Sequence, residues 1–172
     1  MTISELWRPM TPADLPAVQD LAEIVHPLYP ESPAVAAERL ALYPAGCLVA
    51  ERDGRLLGYA VSHPGLLGRP PALDVLLGGL PEAPDCLYLH DIALLPQAHG
   101  LGLGSALVAH LLALAKAAGF PVLALTAVNN STGYWQRQGF IPHQSSHQGD
   151  VALAAKLASY GEDALYLARA VD

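Results

Sequence analysis

The stretch Asp91-Ile92-Ala93-Leu94-Leu95-Pro96-Gln97-Ala98-His99-Gly100-Leu101-Gly102-Leu103-Gly104-Ser105 decides how the rest of the chain is read. It continues an apolar strand that begins near Leu87, and Pro96 ends that strand. Three alternating glycines then lead into the longest helical pattern, Ser105 to about Ala118, with Gly119 as its stop. Leu107, Leu111 and Leu114 mark one apolar face, and Val108 and Leu112 widen it until the helix is predicted to be largely buried. A strand that ends in glycines and opens a helix gathers backbone N–H groups and the positive end of the helix dipole at one point, which suits a phosphate. A side chain there would block close approach, and an anion-binding nest needs positive φ.

Upstream, Leu6 to Met10 is predicted as a short strand, and Thr11-Pro12-Ala13-Asp14 starts a helix continued by Leu15, Val18, Leu21, Ala22 and Val25. His26-Pro27-Leu28-Tyr29-Pro30 breaks it, and Ser32-Pro33 opens a second helix over 34–42. Strands over 47–51 and 56–62 flank a turn at Asp53-Gly54, which predicts a hairpin. Residues 64–85 hold five Pro and four Gly, so they read as a long loop with one helical turn at Leu73 to Leu77. Downstream come a strand over 122–126, a short helix over 131–138 ended by Gly139, and a closing strand over 164–170. This order predicts an α/β or α+β sheet with helices on both faces.

The length, 172 residues, predicts one domain over 1–172. With 52% hydrophobic and 15% charged residues the chain is not disordered, and no uncharged run reaches the roughly 18 apolar residues of a membrane span. Met1 to Pro12 does not read as a signal peptide, so Cys47 and Cys86 are expected to be reduced thiols of a cytoplasmic protein. A net charge of -7 argues against nucleic acid as a partner, and no membrane partner is expected. The acids are unevenly placed: twelve precede or include Asp91 and none follows until Asp150, while Lys116 and Arg137 lie in the gap. A pocket for a polyanion requires such a gap. His143 and His147 stand four apart but follow Pro142 in a Gln/Ser-rich loop, so no metal site is expected.

Two phosphate-binding classes fail on spacing. A Walker loop needs a Lys before its Ser or Thr, and Gly104-Ser105 has none. A dinucleotide fold needs a third glycine at the right spacing after the first strand and an acid about 20 residues on, and neither is present. The quoted strand and glycine loop, with the opening Ser105-Ala106-Leu107, instead resemble the acetyl-CoA signature of the GNAT family of N-acetyltransferases. A second segment agrees: Val128-Asn129-Asn130-Ser131, followed by Tyr134-Trp135-Gln136-Arg137-Gln138-Gly139-Phe140, is similar to the family's fourth-helix motif ending in Gly-Phe.

This resemblance implies a mixed, mostly antiparallel central sheet of about six or seven strands, flanked by helices and splayed at the acetyl-CoA site. It implies direct transfer of acetyl from acetyl-CoA, as cosubstrate, to a primary amine of a small molecule or peptide in a ternary complex, by a monomer or homodimer. The alternative is a catalytically weak CoA-binding sensor or interaction module of the same fold. Two registers fit the signature: a literal one on Gln97, Gly100 and Gly102, and a preferred one on His99, Gly102 and Gly104. The second puts His where the family usually has Arg or Gln, leaving more of the pyrophosphate to backbone donors.

By the same resemblance Ile92, Ala93 and Leu94 pair with the pantetheine arm, and Gln97, His99, Gly100, Leu101, Gly102, Leu103, Gly104 and Ser105 form the phosphate loop. Asn129 or Asn130 contacts the cofactor. The base is Asp91 first and His90 second, or else a water chain, and strand alternation is expected to send these two to opposite faces. The family's thiolate-protonating Tyr falls at Trp135, with Tyr134 one residue early, so either Tyr134 substitutes imperfectly as the catalytic acid or no side-chain acid is used; Trp135 is expected to pack against the pantetheine end. Gly104 is expected to clear the approach of the phosphates. Cys86 is expected to be inert. Tyr29, Glu31 and the 64–85 loop are candidates for the acceptor pocket.

Overall fold

The computed structural model describes residues 2–143, 151–161 and 163–172. Seven strands form one sheet in the order β1-β2-β3-β4-β5-β7-β6. They are β1 (Trp7–Pro9), β2 (Cys47–Arg52), β3 (Arg55–Gly65), β4 (Cys86–Leu94), β5 (Val122–Ala127), β6 (Ile141–Pro142) and β7 (Leu165–Ala170). All neighbours are antiparallel except β4 and β5. The helices are α1 (Leu15–Val25), α2 (Pro33–Leu42), α3 (Leu103–Ala118), α4 (Thr132–Arg137) and α5 (Val151–Ala158). The mixed, mostly antiparallel sheet flanked by helices is the architecture expected.

Local chemistry explains most boundaries. Asp53 and Gly54 both take positive φ, +53° and +76°, as a two-residue hairpin turn with the right twist demands. Thr11 and Asp14 form a capping box around a 3-10 turn, and α1 begins only after it, at Leu15. Ser32 caps α2 by accepting from Ala34 N at 3.3 Å. Gly119, at φ +84°, ends α3.

One core cluster lies between the sheet and α3, with Leu107 and Leu111 fully buried against Leu87, Leu89, Leu123 and Leu167. Each buried Leu contributes about 1.5–3 kcal/mol over exposure. A second cluster sets Val18, Leu21 and Leu40 of α1 and α2 against Val49, Tyr59 and Val61 on the other face. The expectation that α3 is largely buried does not hold. Ala109, His110, Ala113 and Lys116 are exposed, because small alanines extend an apolar pattern without requiring cover.

Three departures concern the connections. The helical turn expected at Leu73 to Leu77 is absent. Asp74 has φ +60° there, and backbone N–H groups of Leu73, Asp74 and Leu77 bond to Ser159, Glu31 and Glu38 side chains instead of to carbonyls one turn back. The structure also adds β6 and α5, in a stretch to which the sequence reading assigns no element. Leu153 and Leu157 of α5 pack beside Tyr88 and Tyr166. His147 lies outside the described residues.

The geometry that positions the site is where β4 leaves β5. These two parallel strands pair only over Leu87–Leu89 and Leu123–Leu125, so their continuations diverge and open a gap at the sheet centre.

Candidate active site

A cavity of about 1030 Å³ occupies that gap and reaches from the glycine loop to the α1–α2 connection. Of the residues expected to hold the cofactor, Ile92, Leu94, His99, Gly100, Gly102, Leu103, Gly104, Ser105, Asn129 and Trp135 line it. Ala93, Gln97, Leu101 and Asn130 are not among its lining residues. Ala93 packs instead into the cluster with Tyr59 and Val61, and Gln97 is exposed on a 3-10 turn, Pro96–Ala98. Asn129 and Asn130 both take positive φ, +54° and +57°, reversing the chain into α4, whose N-cap is Ser131.

Within the loop, Gly100 and Gly102 take φ +82° and +85°, with no atom within 4 Å of where a Cβ would stand. Gly102 is the left-handed N-cap of α3. Gly104 differs. It lies inside the helix, and a Cβ there would run into the hydroxyl of Tyr134. Its missing side chain makes room for a phenol, at a position that lines the same cavity.

Tyr134 and Trp135 are in edge contact, with ring centroids 5.0 Å apart, and both line the cavity. Trp135 is only 6% exposed and stands edge-on to Phe140, so much of its surface belongs to the core. The Tyr134 ring is the one that reaches over the first turn of α3. Partial burial raises the pKa of its phenol.

At the other end, the expectation that His90 and Asp91 face opposite ways is overturned. Val61 pairs with Asp91 and Ser62 with Leu89, so His90 is an extra residue, a bulge in β4. Its effect on facing is visible in the packing. Leu87 and Leu89 before the bulge and Ile92 and Leu94 after it all meet the α3 cluster, whereas Tyr88 and Ala93 pack on the other face. The bulge shifts the alternation by one, and His90 and Asp91 both point away from α3 into the cavity.

Each has a partner from the α1–α2 connection. His90 Nε2 is 2.9 and 3.1 Å from the two oxygens of Glu31, whose Oε2 also accepts from Asp74 N at 2.8 Å. Asp91 accepts from the Tyr59 hydroxyl at 2.6 Å and lies 3.2 Å from His26 Nε2. That nitrogen is also 2.9 Å from the Ile92 carbonyl and so must carry a hydrogen. Burial pushes the Asp91 carboxyl up, but the hydrogen bond and charge of His26 outweigh it and hold the pKa below the usual value. Burial likewise pushes His26 down, and its bond to Asp91 more than reverses this, so His26 is raised. Burial, with Asp91 beside it, raises Tyr59 well above an ordinary phenol.

Tyr29 and Glu31, the expected acceptor residues, both line the cavity, and the 64–85 loop contributes Leu73. His26, Tyr59 and Tyr160 are lining residues that the sequence reading missed. Cys47 and Cys86 lie outside the lining, and burial raises their thiols to about 11 and about 12. Among the described residues no cluster of three or more His, Cys, Asp or Glu could hold a metal ion.

The sheet thus splays at its centre beside a glycine loop and the N-terminus of α3. Residues 6–140 match the family model described as Acetyltransferase (GNAT) family, and the chain belongs to that family. Among curated proteins none matches. Solved structures with similar folds include GphF, a GNAT-like decarboxylase in complex with isobutyryl-CoA (TM-score 0.73, 16% identity, covering 96% of this chain and 99% of that one). Another is a ribosomal-protein alanine N-acetyltransferase from Escherichia coli (TM-score 0.65, 20% identity, covering 96% and 93%). A third is a GNAT family acetyltransferase from Brucella melitensis in complex with acetyl-CoA (TM-score 0.53, 26% identity, covering 78% and 81%).

Proposed function

We propose that this protein transfers the acetyl group of acetyl-CoA directly to a primary amine in a ternary complex. The observation that carries this reading is one cavity with a phosphate-type glycine loop at one end and two histidine-paired carboxylates, Glu31 and Asp91, at the other. The cofactor fits the residues present: open space at Gly100 and Gly102 leaves backbone room for the diphosphate, and Ile92, Leu94, Leu125 and Val128 offer apolar walls for the pantetheine arm. Acetyl-CoA supplies the thioester. The amine nitrogen, freed of one proton by His90, forms the C–N bond, the C–S bond breaks, and the second proton it sheds balances the one that the departing thiolate takes up from solvent.

The chain's residues do three things in this reading. Asp91 attracts the ammonium; its lowered pKa makes it an anchor more than a proton acceptor. His90 serves as the general base in this reading, its ring oriented by the Glu31 carboxylate. Tyr134 covers the cofactor arm. The thiolate, with a model thiol pKa near 8.5, needs no side-chain acid.

The same reading takes residues 1–172 as one domain acting in the cytoplasm as monomer or homodimer, with a small-molecule or peptide acceptor and neither nucleic acid nor membrane as partner. No helix among the described residues is long and apolar enough to cross a membrane. The test is initial-rate thiol release with an amine panel. Intersecting double-reciprocal lines support direct transfer, and parallel lines refute it. His90→Gln should lower kcat by about 10² or more with acetyl-CoA affinity kept. Binding of acetyl-CoA with no transfer to any amine would leave the sensor reading standing instead.

A further inference from the structure

We propose that the acceptor is an ammonium on an apolar body that carries no carboxylate or phosphate of its own. This rests on the acetyltransferase reading and narrows its substrate class. The first observation is a census of charge. The chain has nine Lys and Arg, all within the described residues, and none of them lines the cavity. Arg8 is committed to Asp14 and Glu51, and Arg39 to Glu38 and the Val75 carbonyl. Three carboxylates, Glu23, Glu31 and Asp91, do line it.

The second observation concerns neutral donors, which could hold an anion in place of a cation. Most of those near the acceptor end are already engaged, the Tyr29 hydroxyl excepted. Tyr59 donates to Asp91 and Tyr160 to the Pro71 carbonyl. The N-terminus of α2, which would otherwise be an anion site beside the cavity, is filled by the protein itself. Ser32 N donates to Asp74, Ala34 N to the Ser32 hydroxyl, and Val35 N to the Ser32 carbonyl. His26 and His90 turn their Nε2 toward Asp91 and Glu31.

The third is where the exposed lone pairs lie. The Glu31 and Asp91 side chains are 14% and 23% exposed, and both line the cavity. Their oxygens call for a ligand rich in N–H and poor in oxygen anions, which is an ammonium. Around them Val18, Ala22, Val25, Val35, Ala36 and Leu73 give the body of that ligand an apolar wall. A carboxylate on the acceptor would lie beside Glu23, Glu31 and Asp91, with no Lys or Arg to meet it and with the charge of His26 already bound to Asp91.

Matched pairs that differ by one carboxylate test this: pentylamine against norleucine, phenethylamine against phenylalanine, and 1,5-diaminopentane against lysine. Phenylalanine amide joins the second pair as a peptide-like amine whose carboxylate is neutralised. The carboxylate-free member should win in kcat/KM by about tenfold or more, with the amide grouped beside the amines. Ala36→Arg, which adds a cation to the wall of α2, should narrow the gap without changing acetyl-CoA affinity. Loss of acetyl-CoA binding would strike the acetyltransferase reading itself. Intact acetyl-CoA binding with the amino acids equal or preferred would overturn the substrate class alone, and intact binding with no transfer to any amine would overturn the transferase reading and the substrate class together.

Discussion

Gly104→Ala isolates the contact between α3 and the fourth-helix phenol. In an otherwise open helix, Gly to Ala stabilises by about 0.8–1 kcal/mol through backbone entropy. Here the added methyl would run into the Tyr134 hydroxyl, with the ring carbon that bears it 3.0 Å away, so the phenol has to swing aside. Moving a packed ring off its rotamer, with repacking of the neighbours, costs about 1–3 kcal/mol. The single variant is therefore expected to be destabilised by about 0–2 kcal/mol despite the better helix former. In a Tyr134→Phe background the oxygen is gone and the remaining 3.0 Å contact yields by a few tenths of an ångström. There the same change should be neutral or stabilising. The double-mutant cycle should show a coupling of about 1–2 kcal/mol, above the 0.3–0.5 kcal/mol scatter of independent sites. Urea unfolding of the four proteins measures it, with acetyl-CoA affinity by calorimetry as the second readout. If the changes add within about 0.3 kcal/mol, or Gly104→Ala alone stabilises, the phenol does not occupy that space.

Trp135→Ala should destabilise the protein by about 3–5 kcal/mol, read by chemical denaturation, because the ring fills core beside Phe140 as well as cavity wall. A loss of acetyl-CoA affinity with full stability would place the ring in the cavity alone. His63 is buried, with its pKa lowered by burial from 6.5 to about 4. Between those values the unfolded chain binds the extra proton, so His63 makes stability fall as pH drops from about 6.5 towards 4. His63→Gln should flatten the dependence of unfolding free energy on pH in that window, and an unchanged slope would mean that the ring is charged in the native state.

The strand, glycine loop and helix over 86–118 were legible because each rests on local rules: apolar alternation, a proline stop, glycine punctuation and helical periodicity. So was the hairpin at Asp53-Gly54. The site was legible in its parts and not in its pairings. Nothing local connects His26 with Asp91 or Tyr59, since the helix break at His26-Pro27 reads as punctuation and only the folded sheet brings these residues together. The loop over 64–85 is legible as a loop, but its pinning is not, for a related reason: its partners are distant side chains such as Glu38, Ser159 and Tyr166. The bulge did leave a trace. Leu87 and Leu89 are odd-numbered and Ile92 and Leu94 even-numbered, and a strand that keeps one apolar face cannot change parity without gaining a residue.

That parity change means the strand carries a built-in frameshift of side-chain direction. Removal of residue 90 would restore a regular alternation in which Leu87, Leu89, Ile92 and Leu94 follow one another on a single face, and Asp91 would fall where His90 stood. The backbone would lose an irregularity and the sheet would be easier to form, while the cavity would keep one titratable group of this strand in place of two. Folding and chemistry thus ask opposite things of one position in the chain. A lineage drifting towards a more regular sheet would pass, in one deletion, from a cavity holding a histidine and a carboxylate of this strand to one holding the carboxylate alone.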